Sequence, residues 1–447
     1  MLVQAIVWCF VSALTTPYGA GDNFLEERSM KKILVIVLAV FLVSAVFATG
    51  SRQNSGGSGG TATLRVGIWD QNQAAGLERV LADFTAQTGT RTTVEVTPWN
   101  DYWTLLEAAA TGGSLPDVFW MHSNQVQRYM DARQLVDLTD RISRSTVADM
   151  ANFPADIVAL YSNNGRQYAI PKDLDTIGLW YNKSHFDAAG IAYPTNNWTW
   201  NDLREAARKL TKPGQYGILF TPGETQTGYW NIIYQGGGYV ISPDKKKSGF
   251  DDPKTIEALD FVGSLVREGS SPPLSFIETD AMALMQSGTV SMCFFGSWML
   301  SAFKQNDYFV RNCDVVMLPS SNSGNRATIY NGLGWSMSVT SKNQEEGWKL
   351  LEFLSRQDTQ TKLSETGIAI SAFRGAATPF ARGFPEFNVS AYTDQIQYAV
   401  MRPFSKNTNA WEDMSVQVLN EAWTGAKSIP DACREIAQKM NAMLAVE

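Results

Sequence analysis

The stretch Gly165–Lys183, GRQYAIPKDLDTIGLWYNK, constrains what this chain can fold into more than any other. Tyr168, Ala169 and Ile170 run apolar up to Pro171, and Ile177 to Tyr181 are rich in β-branched and aromatic residues, as in two strands. Between them Lys172, Asp173 and Asp175 place three charges within four positions. A single buried strand would need a partner for each charge, so the pattern predicts that the chain leaves one core here and enters another. A polar crossover between two lobes also offers donors and acceptors to a ligand with many hydroxyls. An ordinary surface turn is the alternative for these residues alone.

A chain of 447 residues exceeds one hydrophobic core, so two domains are expected. The apolar fraction of 44% and charged fraction of 18% are those of a folded soluble protein, and the net charge of -7 argues against a nucleic-acid footprint, which clusters Lys and Arg. Lys245–Lys247 is read as a solvated hairpin tip.

The N-terminus holds two apolar segments. The second has Lys31 and Lys32, an apolar run from Ile33 to Phe47 and small residues at Ala45 and Ala48, the layout of a secretory signal peptide ending at Ala48. The expected organisation is an upstream extension over 1–29, a signal peptide over 30–48 and a flexible Gly/Ser linker over 49–62. With no cysteine beside the cleavage site, a lipid-anchored end is not expected, and the product is placed in the periplasm or outside the cell. Beyond Cys9 stand Cys293, Cys313 and Cys433, an odd number that precludes a complete disulfide framework within one chain. Cys293 reads as a buried thiol, a bridge to Cys313 being the alternative. His122 and His185, the two histidines, have no partner at ligand spacing, so no metal site is expected.

From Thr63 the pattern runs strand (Leu64 to Trp69), helix (Ala75 to Gln87), strand (Thr92 to Val96), helix (Asp101 to Ala110), strand (Val118 to Met121). This βαβαβ order implies a parallel sheet with right-handed crossovers, whose ligands bind beyond the carboxyl ends of the strands. Trp69, Asp70, Trp120 and His122 fall at those ends. Six tryptophans, Trp69, Trp120, Trp230, Trp298, Trp335 and Trp411, stand beside a strand end, a glycine or a turn. Flat rings suit the C–H face of a pyranose, while carboxylates and amides bind its hydroxyls. For any one of these tryptophans, core packing is the competing reading.

Several ordered motifs resemble those of the family 1 extracellular solute-binding proteins, the carbohydrate receptors of ABC importers related to maltodextrin-binding proteins. They are WNDYWTLLEAAATGGSLPDVFWMH (Trp99 to His122), IPKDLDTIGLWYNKSHFDAAGI, NWTWNDLREAARKL, MQSGTVSMCFFGSWM, NGLGWSMSVTSKNQEEGWKLLEFL and TGIAISAFRGA. The resemblance implies an α/β fold of the type II periplasmic-binding-protein kind. Each lobe would be a mainly parallel sheet flanked by helices, with three hinge crossings between them. Lobe one would comprise 63–172 and 335–366, lobe two 174–332 and 370–447. It implies sugar binding by Asp70 with Trp69, by Trp120, and by His122 and Asn124 in the following loop, His122 standing where relatives often have Asn. Asp173 and Asp175 would meet the ligand at the first crossing, Tyr229, Trp230, Trp298 and Trp411 would form a stacking platform with Trp335 nearby, and Arg374 would supply a bidentate donor. The partners implied are a carbohydrate, expected to be an oligosaccharide, and the membrane permease subunits of an ABC importer, with the receptor a monomer that needs no cofactor. No phosphate-binding loop for ATP is present. A secreted sensor or adhesin that binds sugar is the alternative function. A glycoside-cleaving enzyme, built on paired carboxylates with aromatic subsites, is a further and less favoured one.

Overall fold

The computed structural model describes residues 62–273, 280–367 and 369–447, with Asn100 described by its backbone alone. The expected upstream extension, signal peptide and nearly all of the linker lie outside the described residues.

The first sheet is built from the predicted βαβαβ unit. Strand β1 (Thr63–Ile68) is followed by helix α1 (Gln71–Thr88), β2 (Arg91–Val96), α2 (Trp99–Gly112) and β3 (Val118–Met121), and α3 (Ser123–Asp131) leaves the end of β3. Asp70 starts α1 as its N-cap, its carboxylate accepting from the Asn72 N–H at 2.9 Å. Gly89 ends it in the left-handed region at φ 77°, where a residue without Cβ is unstrained. Leu77, Val80, Leu81 and Phe84 form the buried stripe between these caps.

The chain then reaches β4 (Ala169–Pro171), the short β5 (Asp173–Leu174) and β6 (Ile177–Asn182). β7 (Met292–Gly296), β8 (Cys313–Met317), β9 (Thr328–Tyr330) and β10 (Gly334–Met337) follow, and then α4 (Gln344–Ser355), β11 (Ile370–Ser371), β12 (Ala399–Met401), α5 (Thr408–Trp423) and α6 (Ile429–Leu444). The first sheet has the order β2-β1-β3-β10-β4, with β1 parallel to β2 and β3, and β10 antiparallel to β3 and β4.

The second sheet, β8-β6-β7, departs from the expected mainly parallel pairing, since both of its ladders are antiparallel. The reason lies in where the strands start. β6 runs outward from the hinge and β7 returns toward it, so Gly296 at the end of β7 faces Ile177 at the start of β6. Every residue of β6 is buried because both faces are covered. Ile177, Leu179 and Tyr181 pack with Phe294 and Val316 on one face, while Trp180 points to the other, with Phe303 and Phe309. Cys293, Cys313 and Cys433 are buried free thiols, so the alternative Cys293–Cys313 bridge is not formed.

Between the sheets the chain crosses from Pro171 to Ile177, returns from Tyr330 to Gly334, and passes again before β11. The crossings are themselves laddered: β5 pairs antiparallel with β11, Ser371 opposite Asp173, and β9 pairs parallel with β12.

Candidate functional site

Antiparallel pairing decides which residues meet between the lobes. Gly334 at the start of β10 faces Met121 at the end of β3, which brings the second crossing beside His122. The return of β7 likewise delivers Ser297 and Trp298 to the hinge side of the second lobe. A cavity of about 890 Å³ lies there, near the upper end of the usual range for small-ligand sites.

Its lobe-one wall is aromatic. Trp69 meets Trp120 edge-on with centroids 5.0 Å apart, meets Trp99 edge-on at 5.2 Å, and has His122 at 6.4 Å. Trp99 opens α2 after Pro98 and is 40% exposed, so a large ring face remains for a ligand. Asp70, Gln73 and Asn124 line the same wall. The ammonium of Lys172 lies 4.2 Å from the centre of the Trp120 ring and pairs with Asp173, both charges being buried.

The two hinge carboxylates point to different partners. Asp173 Oδ1 accepts from the Leu333 N–H at 2.8 Å, and Asp175 Oδ1 accepts from the Asn331 N–H at 3.0 Å and from Gln226 Nε2 at 3.0 Å. Burial, reinforced by the charge of Asp173, pushes the Asp175 carboxyl well above the ordinary carboxylate range. His122 Nδ1 lies 2.6 Å from Asn124 Oδ1 and 3.3 Å from the Asn124 backbone nitrogen, and its Nε2 lies 3.0 Å from Asn331 Nδ2. Burial, followed by the nearby Arg402 charge, lowers its pKa to about 3, so the imidazole is neutral at physiological pH.

On the second lobe, Arg402 follows β12. Its Nη2 donates to Glu412 Oε1 at 2.8 Å and Oε2 at 2.5 Å, its Nε donates to Gln226 Oε1 at 3.2 Å, and its guanidinium lies 5.1 Å from the centre of the Trp230 ring. Thr225 Oγ1 donates to Glu412 Oε1 at 2.7 Å. Trp298 folds back over the end of β7, its ring 2.0 Å from where a Cβ on Gly296 would be, so the absence of a side chain there sets the ring's place on the cavity wall.

Of the residues expected at a binding site, Trp69, Asp70, Trp120, His122, Asn124, Asp173, Asp175 and Trp298 line this cavity, Trp120 being itself fully buried with Lys172 over its ring. The others stand elsewhere. Trp335 lies directly across the ladder from Trp120, fully buried behind it. Tyr229, Trp230 and Trp411 are fully buried in the second core, Trp230 and Trp411 having centroids 6.0 Å apart, so their faces are not free for stacking as drawn from the sequence. Trp411 sits in the first turn of α5 with its Nε1 donating to Ser405 Oγ at 2.9 Å, while its neighbours Glu412 and Asp413 reach the cavity. Arg374 is exposed and spends its guanidinium on the carbonyls of Ala151 and Phe153, at 3.2 and 3.1 Å.

The residues that sequence reasoning missed are Trp99, Gln226, Arg402, Glu412 and Asp413. The strand-end rule that selects Trp69 and His122 also selects Arg402 once Ala399–Met401 is recognised as a strand.

The fold is shared with known proteins. The structure superimposes on a Listeria monocytogenes ABC substrate-binding protein in complex with cycloalternan with a TM-score of 0.78 at 22% identity, covering 86% of this chain and 100% of that one. It superimposes on a cyclic α-maltosyl-1,6-maltose binding protein from Arthrobacter globiformis with a TM-score of 0.70 at 23% identity, covering 87% and 100%. Both show the two-lobed type II binding-protein fold. In sequence, a putative binding protein of Brucella abortus is 27% identical over 208 residues, 45% of this chain, and the chain spans 50% of that relative's length. A multiple sugar-binding protein of Streptococcus mutans is 22% identical over 384 residues, 82% of this chain and 88% of that protein. The family profile described as bacterial extracellular solute-binding protein matches residues 69–361, and the chain belongs to that family.

Proposed function

We propose that this chain is an extracytoplasmic carbohydrate receptor that closes its lobes on a saccharide and delivers it to the membrane permease subunits of an ABC importer. The observation that carries this reading is the cavity between the lobes, where exposed indole surface at Trp99 and Trp298 faces hydrogen-bonding groups at Asp70, Asn124, Gln226 and Glu412. Pyranose rings need both kinds of surface at once. A volume of about 890 Å³ suits an oligosaccharide better than a single ring.

The site is organised for binding rather than turnover. Asp173 is held by Lys172 and Leu333, and Asp175 by Asn331 and Gln226, so both hinge carboxylates are engaged by the protein itself. Closure is supported at the rim, where Lys406 Nζ on the second lobe stands 3.2 Å from Asp131 Oδ2 at the end of α3. A ligand touching both walls favours the state in which the walls are near, which is how binding selects closure. Among the described residues no helix is long and apolar enough to cross a membrane.

A thermal-shift screen against mono-, di- and oligosaccharides, with product analysis of each well, tests the reading. A saturable rise in Tm for one sugar class, with the sugar recovered intact, is expected. Absence of any shift, or consumption of the sugar, would overturn it.

A further inference from the structure

The cavity wall carries more acid than base. Asp70, Asp173, Asp175, Glu412 and Asp413 line it, with Arg402 as the one lining Lys or Arg. Two of the acids are matched from within the protein, Asp173 by Lys172 and Glu412 by Arg402. Asp175 is satisfied by Asn331 and Gln226. Asp70 and Asp413 have no ion-pair partner among the described residues.

The same wall already shows how it accommodates an ammonium. Lys172 Nζ lies against the face of Trp120 and pairs with Asp173. One ring along, Trp69 and Trp99 continue the aromatic surface, and Asp70 directly follows Trp69, but among the described residues no Lys or Arg stands over either ring. Gln73 beside it is 5% exposed. Gln73 lines the cavity; its Nε2 donates to Asp70 Oδ2 at 2.7 Å, and its buried Oε1 has no donor among the described residues. An unmatched carboxylate, an orphaned amide oxygen and indole faces together call for a group that brings several donors and a positive charge. A hydroxyl brings one donor and no charge, whereas a protonated amine brings both.

We propose that the saccharide taken by this cavity carries a protonated amino group, seated between the Trp69–Trp99 wall, Asp70 and Gln73. This rests on the saccharide reading above and adds the charge of the ligand.

Binding is measured by calorimetry on the purified full-length chain near neutral pH. The probes are glucosamine, galactosamine, mannosamine and chitosan di- and trisaccharides, each beside its neutral parent and the matching uronate. Every sugar positive in the carbohydrate screen is added in the same three forms. An amino form binding at least tenfold more tightly than its neutral parent, with the uronate weakest, is expected. In Asp70→Asn that ratio should fall toward one. Asn caps a helix as well as Asp, so α1 is retained and the ratio reports charge rather than folding. A neutral parent that binds as tightly as its amine, or an unchanged ratio in Asp70→Asn, overturns the inference while the saccharide reading stands. If no sugar of any charge binds, both fall.

Discussion

Asn331 and Asp175 hold each other across the hinge. The Asn331 N–H donates to Asp175 Oδ1 at 3.0 Å, and the Asp175 N–H donates back to the Asn331 carbonyl at 3.0 Å, which ties the first crossing to the second. The Asn331 side chain reaches on to His122, so a carboxyl at the hinge and a ring at the end of β3 share one residue.

The raised pKa of Asp175 has a pH signature. Its folded value lies above the unfolded value near 3.8, so its contribution to stability is fully present below that pH and is lost as pH rises toward the raised folded value. Asp175→Asn keeps an acceptor for the Asn331 N–H without the ionisation. We predict that Tm of the wild type falls relative to that of Asp175→Asn as pH is raised from about 3.8, checked by calorimetric scans of both proteins. Parallel profiles would refute it.

Trp230 and Trp298 should separate cleanly. Trp230→Ala empties a fully buried site and is expected to cost about 3–5 kcal/mol of stability in urea unfolding. Trp298, part-exposed on the cavity wall, is expected to lose about 1–2 kcal/mol of sugar binding as Ala with unfolding still cooperative. Equal losses of stability in the two variants would mark Trp298 as core.

Gly296 provides a test without touching an aromatic. A methyl group there would occupy the place of the Trp298 ring, so Gly296→Ala should swing that indole and change its fluorescence while weakening sugar binding roughly tenfold, about 1.4 kcal/mol. Unchanged emission and affinity would show that the ring is not held by this contact.

The Arg402–Glu412 pair is almost enclosed, with side-chain exposures of 4% and 13%. Removing one charge leaves the other buried and unmatched, and Glu412→Gln is expected to cost about 3–5 kcal/mol in urea unfolding. The double variant Arg402→Met with Glu412→Gln should recover part of that loss, and a double variant no more stable than Glu412→Gln would argue against the pair.

The three thiols make a simple prediction. Burial pushes Cys313 and Cys433 up to about 12 and Cys293 well above the ordinary thiol range. All three should react with Ellman's reagent only when denaturant opens the fold, and rapid reaction of any one in the native protein would contradict its placement.

The parts of this architecture that repeat over many residues were legible in the sequence. The βαβαβ unit carries its period in every element, and Trp69, Asp70 and His122 follow from it because a strand end in such a sheet faces the ligand side. The direction of β7 and β8 was not legible, since an apolar strand such as MCFFG reads the same in a parallel or an antiparallel ladder. Trp411 was misplaced for a helical reason. One residue along a helix turns about 100°, which puts Trp411 in the core and Glu412 on the cavity. Arg402 escaped notice because its strand is three residues long, too short for a pattern.

The place of β10 between β3 and β4 also governs the order in which the protein can be made. Synthesis delivers β4 long before β10, yet among the described residues β4 joins the first sheet only through its ladder with β10. The N-terminal half must therefore wait, with an open sheet edge, while the whole of β5 to β9 emerges. A chain stalled or cut before Gly334 presents that edge to its neighbours. The same interleaving that fastens the hinge makes the first lobe inseparable from sequence beyond the second.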